Sequence, residues 1–343
     1  MLKKYIVVFV FFFPVLMFSQ TVAAKYAGEF LAIGIGSRPT GMGGAFAAIA
    51  NDVTAVYYNP AGLTQLDFPQ FAVMHDEQFG KLVNYNYAAV AIPYKEYYTF
   101  AFSATRLGID GIPDTRGALV DKLTGAVIND ITNENARIDP SKVKDISNQD
   151  WAFYLSAAKK YSDNLSIGAN VKIITRSIGE YTAFGLGFDI GTLYRLDTDF
   201  MIAASVQDVT TTLVAWSTGR NELITPTVKI GSYYNMQLFG ALTVSPAIDI
   251  DTRFENRRYA STFHAGSVSF DPHFGIEAAY NKIFSVRGGY NDVKQFTIGA
   301  GVKLPKLNID YSFARFSGAA DENLPVSHRI SLILTLEEPR YSR

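Results

Sequence analysis

Residues 296–314, FTIGAGVKLPKLNIDYSFA, decide the fold. Phe296, Ile298, Ala300, Val302 and Leu304 fall on one side of an extended chain, and Thr297, Gly299, Gly301 and Lys303 on the other. Past Pro305 the pattern restarts. Leu307, Ile309, Tyr311 and Phe313 oppose Asn308, Asp310, Ser312 and Ala314. A period of two is that of a strand with one apolar face, and Pro305 marks a tight link between two such strands.

Outward from this pair the alternation recurs. Phe184, Leu186, Phe188 and Ile190 oppose Gly185, Gly187, Asp189 and Gly191; Leu165, Ile167, Ala169, Val171 and Ile173 oppose Ser166, Gly168, Asn170 and Lys172. Fourteen runs are legible, near 68–79, 82–93, 97–105, 150–161, 163–177, 181–195, 199–209, 225–237, 240–253, 270–280, 282–291, 294–304, 306–315 and 327–336. Each is roughly the ten residues that a tilted strand needs to cross a membrane. The links obey a parity. After even-numbered runs they are tight: Tyr94-Lys95-Glu96, Ser162, Asp197-Thr198, Leu238-Phe239, Asn281 and Pro305. After odd-numbered runs they can be long, as at 106–149, 210–224, 254–269 and 316–326. Short turns on one rim and long loops on the other predict an all-β, 14-stranded antiparallel transmembrane outer-membrane β-barrel, with both chain ends on the periplasmic side. A soluble sandwich or propeller accounts for alternation equally well. It gives no reason for one-sided loops, or for a face that stays apolar on every strand.

Composition agrees with this reading. Charged residues are 18% of the 343, below the roughly 25% of soluble domains. A net charge of −1 leaves no electrostatic footprint for nucleic acid. The absence of cysteine excludes disulfide and thiol chemistry. Lys3-Lys4, an apolar run from Tyr5 to Phe18 and the small residues after it predict a signal peptide over 1–20, with the mature chain starting between Gln20 and Lys25. No other stretch is apolar enough to span a bilayer as a helix, so a membrane form must be a closed barrel.

Residues 38–66, RPTGMGGAFAAIANDVTAVYYNPAGLTQL, depart from all this. They are Gly- and Ala-rich, lack alternation and fit two short helical turns. Such a segment is a plug in a barrel or a cap on a sheet. Gly41, Gly43 and Gly44 allow close packing against a wall. In Asn59-Pro60-Ala61-Gly62-Leu63, Pro60 disfavours helical geometry at Asn59, whose side chain suits a turn. The polar faces of the strands carry Lys172, Arg176, Asp189, Arg195, Asp249, Asp251, Glu277, Arg287, Lys303, Asp310 and Arg315. In a barrel these point to the lumen, where they line and stiffen a filled interior, bind a polar group or hold the plug.

A search for chemistry yields no enzyme. Gly34-Ile35-Gly36-Ser37-Arg38-Pro39 begins like a dinucleotide loop but has proline in place of the third glycine. His75, His264, His273 and His328 have no metal-ligand spacing. Asp110, Asp114 and Asp121, or Asp249 with Asp251, have no calcium-loop pattern. His264 lies near Ser261, Ser267 and Ser269, but no G-x-S-x-G elbow is present. No catalytic residue, metal or cofactor is predicted.

One block resembles the PorV/PorQ-like family of outer-membrane proteins, itself similar to the FadL-type transporters of hydrophobic compounds. The matching residues are KYAGEFL at 25–31, Gly34 to Arg38, Gly41-Met42-Gly43-Gly44-Ala45-Phe46, Asp52 and YYNPAGL at 57–63. Residues 108–113 and 301–305 also look like family positions. The resemblance implies that 25–67 folds into the lumen as a hatch, within a barrel over 68–336 that carries a long extracellular loop at 106–149. A periplasmic tail covers 337–343. It departs from the family pattern there, where Glu337-Glu338-Pro339-Arg340-Tyr341-Ser342-Arg343 does not end on an aromatic residue. Two functions follow: a FadL-like barrel that passes or binds hydrophobic small molecules, or a PorV-like accessory barrel of type IX secretion docking a translocon or cargo.

Overall fold

The strand faces find their partners by closing on one another. A computed structural model describes residues 28–255, 261–317 and 326–336. Fourteen antiparallel strands form one closed barrel. They are β1 Gln70–Gln78, β2 Val83–Tyr94, β3 Tyr98–Asp114, β4 Lys144–Lys160, β5 Leu165–Ile178 and β6 Tyr181–Arg195. β7 comes in two pieces, Phe200–Gln207 and Thr212–Trp216, and β8 in three, Asn221–Ile224, Thr227–Tyr234 and Met236–Phe239. Then follow β9 Leu242–Arg253, β10 Val268–Tyr280, β11 Phe284–Tyr290, β12 Gln295–Lys303, β13 Leu307–Phe316 and β14 Ser327–Thr335. The first strand pairs with the last, from Gln70↔Thr335 to Glu77↔His328, so no edge is left unpaired. The predicted signal peptide and tail lie outside the described residues.

The structure corrects three expectations. The expected loop at 106–149 is mostly shorter, because β3 and β4 stay paired out to Asp114↔Lys144, past an irregularity between Ile109 and Ile112. Only 115–143 leaves the wall, and it carries a small hairpin, Leu119–Asp121 with Ala136–Ile138. The expected loop at 210–224 is wall as well: Thr212–Trp216 pairs with both β6 and Asn221–Ile224. The run was hidden because the chain bulges at 208–211, where Asp208 and Thr211 take left-handed φ of 55° and 58°. And residues 38–66 hold three helical turns and not two, α2 Ser37–Gly41, α3 Ala55–Tyr58 and a 3₁₀ turn, Pro60–Gln65, with α1 Glu29–Ala32 ahead of them.

Burial follows the alternation. Along β6, Ala183 and Leu193 are buried while Phe184, Leu186 and Ile190 are 45–54% exposed. Exposed Phe71, Phe100, Phe102, Phe274, Phe296 and Ile298 continue this apolar belt round the outside. In water such a belt is costly, and in hydrocarbon it is the required surface. Tyr94, Tyr98, Tyr194, Tyr234 and Tyr280 ring the tight-turn rim, where an aromatic body meets lipid and a hydroxyl meets water.

The lumen is filled by the hatch. Ile35, Met42, Phe46, Ile49, Val53, Val56 and Leu63 are buried in one apolar cluster with Tyr85, Tyr87 and Tyr154 of the wall. Left-handed Gly34, Gly36, Gly43 and Gly44 break the chain into short turns, so that no helix grows long. The segment folds against the wall because it cannot bury an apolar core alone.

Candidate functional site

Asn59 is the point where hatch and wall lock. It is fully buried with an extended backbone. Its Oδ1 accepts from Ala61 N (3.1 Å), capping the 3₁₀ turn that Pro60 opens. Its Nδ2 donates to Ala47 O (3.1 Å) within the hatch and to Thr192 O (3.0 Å) in β6. The wall makes room with glycines. A Cβ on Gly191 would lie 2.1 Å from Asn59 Oδ1, and one on Gly168 would lie 2.4 Å from Ala61 N. Gly62 is equally closed in, since its Cβ would sit 2.0 Å from Ala50 O, and Ala61 and Leu63 are fully buried.

The other glycines meet the opposite wall. A Cβ on Gly43 would strike the backbone of Phe274 and Tyr290 at 2.6 Å, and one on Gly41 would approach Gly299 Cα at 3.1 Å. Gly44 stands against the ring of His273. Thr297 ties this side by donating to Gly41 O (3.2 Å) and accepting from Gly43 N (3.1 Å).

Charges stitch the remainder. Arg38 of α2 donates through Nε and Nη2 to the Glu277 carboxylate (2.9 and 3.0 Å), and Arg287 bridges Glu277 and Asp310, each at 2.6 Å. Burial works against the Arg38 charge, but Glu277 and Asp52 outweigh it and keep the guanidinium protonated. Lys172 meets Asp189 (3.2 Å) and Asp208 (2.7 Å), bracing the bulge in β7. Arg176 meets Asp150 (2.9 Å) and Glu222 (3.2 Å). Asp249 Oδ2 accepts from Phe46 N and Ala47 N (2.9 and 2.8 Å), while Asp251 pairs with Lys229 and Arg253. Burial pushes the Tyr58 hydroxyl up, so it stays protonated and donates to Ile35 O (2.8 Å).

Three of the charges read from sequence stand apart from this network, two at strand ends and one on the outer face. Lys303 keeps the inward register but sits exposed at the end of β12, with no ion pair among the described residues. Arg195 is likewise exposed at the end of β6. Arg315 has the outward parity of Tyr311 and Phe313, which removes it from the lumen. Asp76 and Arg329 were missed. Arg329 Nη2 donates to Asp76 Oδ2 (2.7 Å) and Nη1 to Gly34 O (3.0 Å), tying the hatch to the seam between β1 and β14. Each falls on the inward parity of its run, and that was the available signal.

The hatch leaves space on both sides. Toward the long-loop rim a cleft opens over Leu31, Ile33, Tyr57 and Tyr58 of the hatch, with Leu223, Ile224, Lys229, Asp251, Arg253 and His273 of the wall. Toward the tight-turn rim a polar cup is lined by Thr64, Gln65, Lys160, Ser166 and Arg195. Asn59 to Leu63 lie between the Tyr58 floor of the cleft and Thr64 in the cup.

A closed barrel of this strand number has counterparts among solved structures. The toluene transporter TodX of P. putida superposes with a TM-score of 0.59 at 10% identity, over 90% of this chain and 99% of that one. The fold is that of the toluene-transporter barrels. TbuX, the toluene transporter of Ralstonia pickettii, gives a TM-score of 0.55 at 14% identity, over 89% and 99% of the two chains. A Pseudomonas aeruginosa FadL homologue gives 0.52 at 10% identity, over 87% and 98%. No family model matches the sequence, and no curated protein does. Within this barrel fold, the site to account for is a filled lumen with space on both sides of the hatch.

Proposed function

We propose that the protein sits in the outer membrane of a Gram-negative bacterium and passes or holds hydrophobic small molecules. They enter from the long-loop side and cross when the hatch shifts. The observation that carries this reading is the cleft itself. Its apolar residues are Leu31 and Ile33 of the hatch and Ile224 of the wall, and the hatch separates it from the cup on the far side. The cleft is concave and sets these apolar side chains beside many polar and charged ones, among them Lys229, Asp251, Arg253 and His273, so it can hold an apolar body with a polar head. The named structural counterparts, two of them toluene transporters, support it. Its side chains position and admit a guest; none is arranged as nucleophile and base. The test is uptake of labelled aromatic compounds and fatty acids by a deletion strain and its complemented parent. Faster uptake with the protein is expected, and equal uptake overturns the reading.

The second reading, an accessory barrel docking a type IX secretion partner, is supported by the PorV/PorQ-like block and by one feature of the outer hairpin. There Leu123, Val127 and Ile131 are exposed by 52–78% on a segment outside the membrane belt. Normal protein export in the deletion strain removes it.

A further inference from the structure

We infer that the cleft is built for a guest that brings a hydrogen-bond donor, a phenol, alcohol or amine head on an apolar body, in preference to a bare hydrocarbon or a carboxylate. This rests on the reading of the cleft as a guest site and names the chemistry of its guest.

Two buried polar side chains line the cleft, each with an atom that has no hydrogen-bond partner among the described residues. Asp251 on β9 has no exposed surface and lines the cleft. Its Oδ2 faces Lys229 and Arg253, but its Oδ1 has no hydrogen-bond partner among the described residues. His273, on neighbouring β10, also lines the cleft and is 7% exposed. Its Nδ1 lies 2.8 Å from the Gly43 carbonyl oxygen. A carbonyl only accepts, so Nδ1 carries the hydrogen and, in the neutral ring, Nε2 is an acceptor. Nε2 too has no hydrogen-bond partner among the described residues. Protonating the ring would direct Nε2–H toward Asp251 Oδ2, 3.5 Å away. Asp251 Oδ1 stays open in either state.

Buried polar atoms in native proteins are nearly always satisfied, so open ones call for a cause. The cause proposed here is an incoming donor. A hydrocarbon leaves Asp251 Oδ1 empty, and with a neutral ring His273 Nε2 as well. A carboxylate brings only acceptors, and the nearby cations are taken: Lys229 by Asp251, and Arg253 by Asp251, Asp271 and Asp292. A hydroxyl or N–H supplies what is missing, while the body of the guest lies along Leu31, Ile33 and Ile224.

The experiment measures equilibrium binding to the full protein in lipid nanodiscs. The ligands are para-propylphenol, its methyl ether, propylbenzene and para-propylbenzoate, matched in their apolar part. The phenol should bind about tenfold tighter than its ether or the hydrocarbon, the gain of one hydrogen bond to a buried charged acceptor, and the benzoate weakest. Asp251→Asn, whose amide can turn its NH2 toward the guest, should reduce the phenol-to-ether ratio to near one. Because that variant can fail to fold, the wild-type phenol-to-ether ratio is decisive alone. Equal binding of phenol and ether overturns the inference, the two acceptors then being filled by water. So does tightest binding of the benzoate. If none of the compounds binds, the guest-site reading falls with it.

Discussion

The hatch and the outer hairpin use the same polar residues and put them in opposite environments. In the hatch, Arg38 reaches Glu277 with little solvent on either side chain, 18% and 11% exposed. In the connection that carries the hairpin, Arg116 reaches Asp114 at 2.8 Å and Glu180 at 3.0 Å with its own side chain 56% exposed. Both are arginine–carboxylate clusters of good geometry. Only the first is dry, so only there does losing one partner strand a buried charge. Position in the barrel, and not residue type, decides which cluster is dry.

That contrast can be broken at several points. Glu277→Gln should have the largest effect, because Arg38 and Arg287 both lose their shared carboxylate; about 3 kcal/mol of stability should go, read by urea unfolding in vesicles. Gly191→Val should come next, at about 2 kcal/mol for overpacking against Asn59 and Pro60. It should also raise conductance and antibiotic sensitivity, whereas Gly117→Val, at a position with nothing within 4 Å, should leave both unchanged. Asn59→Ala removes the cap and the two tethers to Ala47 and Thr192, and about 1–2 kcal/mol is expected. The smallest effect belongs to Arg116→Ala, with no change in permeability. Its signature is local. Hydrogen bonds from Arg116 hold the Asp114 carboxyl down to about 2. A depressed carboxylate contributes above its ordinary pKa and loses that contribution as pH falls through about 2. Removing Arg116 should move the Asp114 midpoint, followed by carbon-13 NMR, upward into the ordinary carboxylate range.

Much of the wall was legible because a period of two survives in any strand with one apolar face. Phe184 to Gly191 announce their faces one by one, and so do Leu307 to Ala314. Where the backbone stops being regular, the pattern fails. The left-handed Asp208 and Thr211 shift the parity of β7, so Leu213 and Ala215 read as loop. Pairings across the chain are invisible for another reason. Asp76 and Arg329 lie on the first and last strands and become neighbours only when the barrel closes. The glycines of the hatch signalled close approach, but not that Gly168 and Gly191 on the wall supply the matching recess. That follows from register, which a single strand does not carry.

The central claim, that guests cross only when the hatch moves, can be tested with one tether. Ser37 in the hatch and Ser331 on β14 have hydroxyl oxygens 2.9 Å apart, and the chain has no cysteine of its own. In the doubly substituted Ser37→Cys, Ser331→Cys protein, oxidation should pin α2 to the wall. Uptake of a labelled aromatic compound should then stop and return on reduction. Equal uptake by the oxidised and reduced forms would contradict the account.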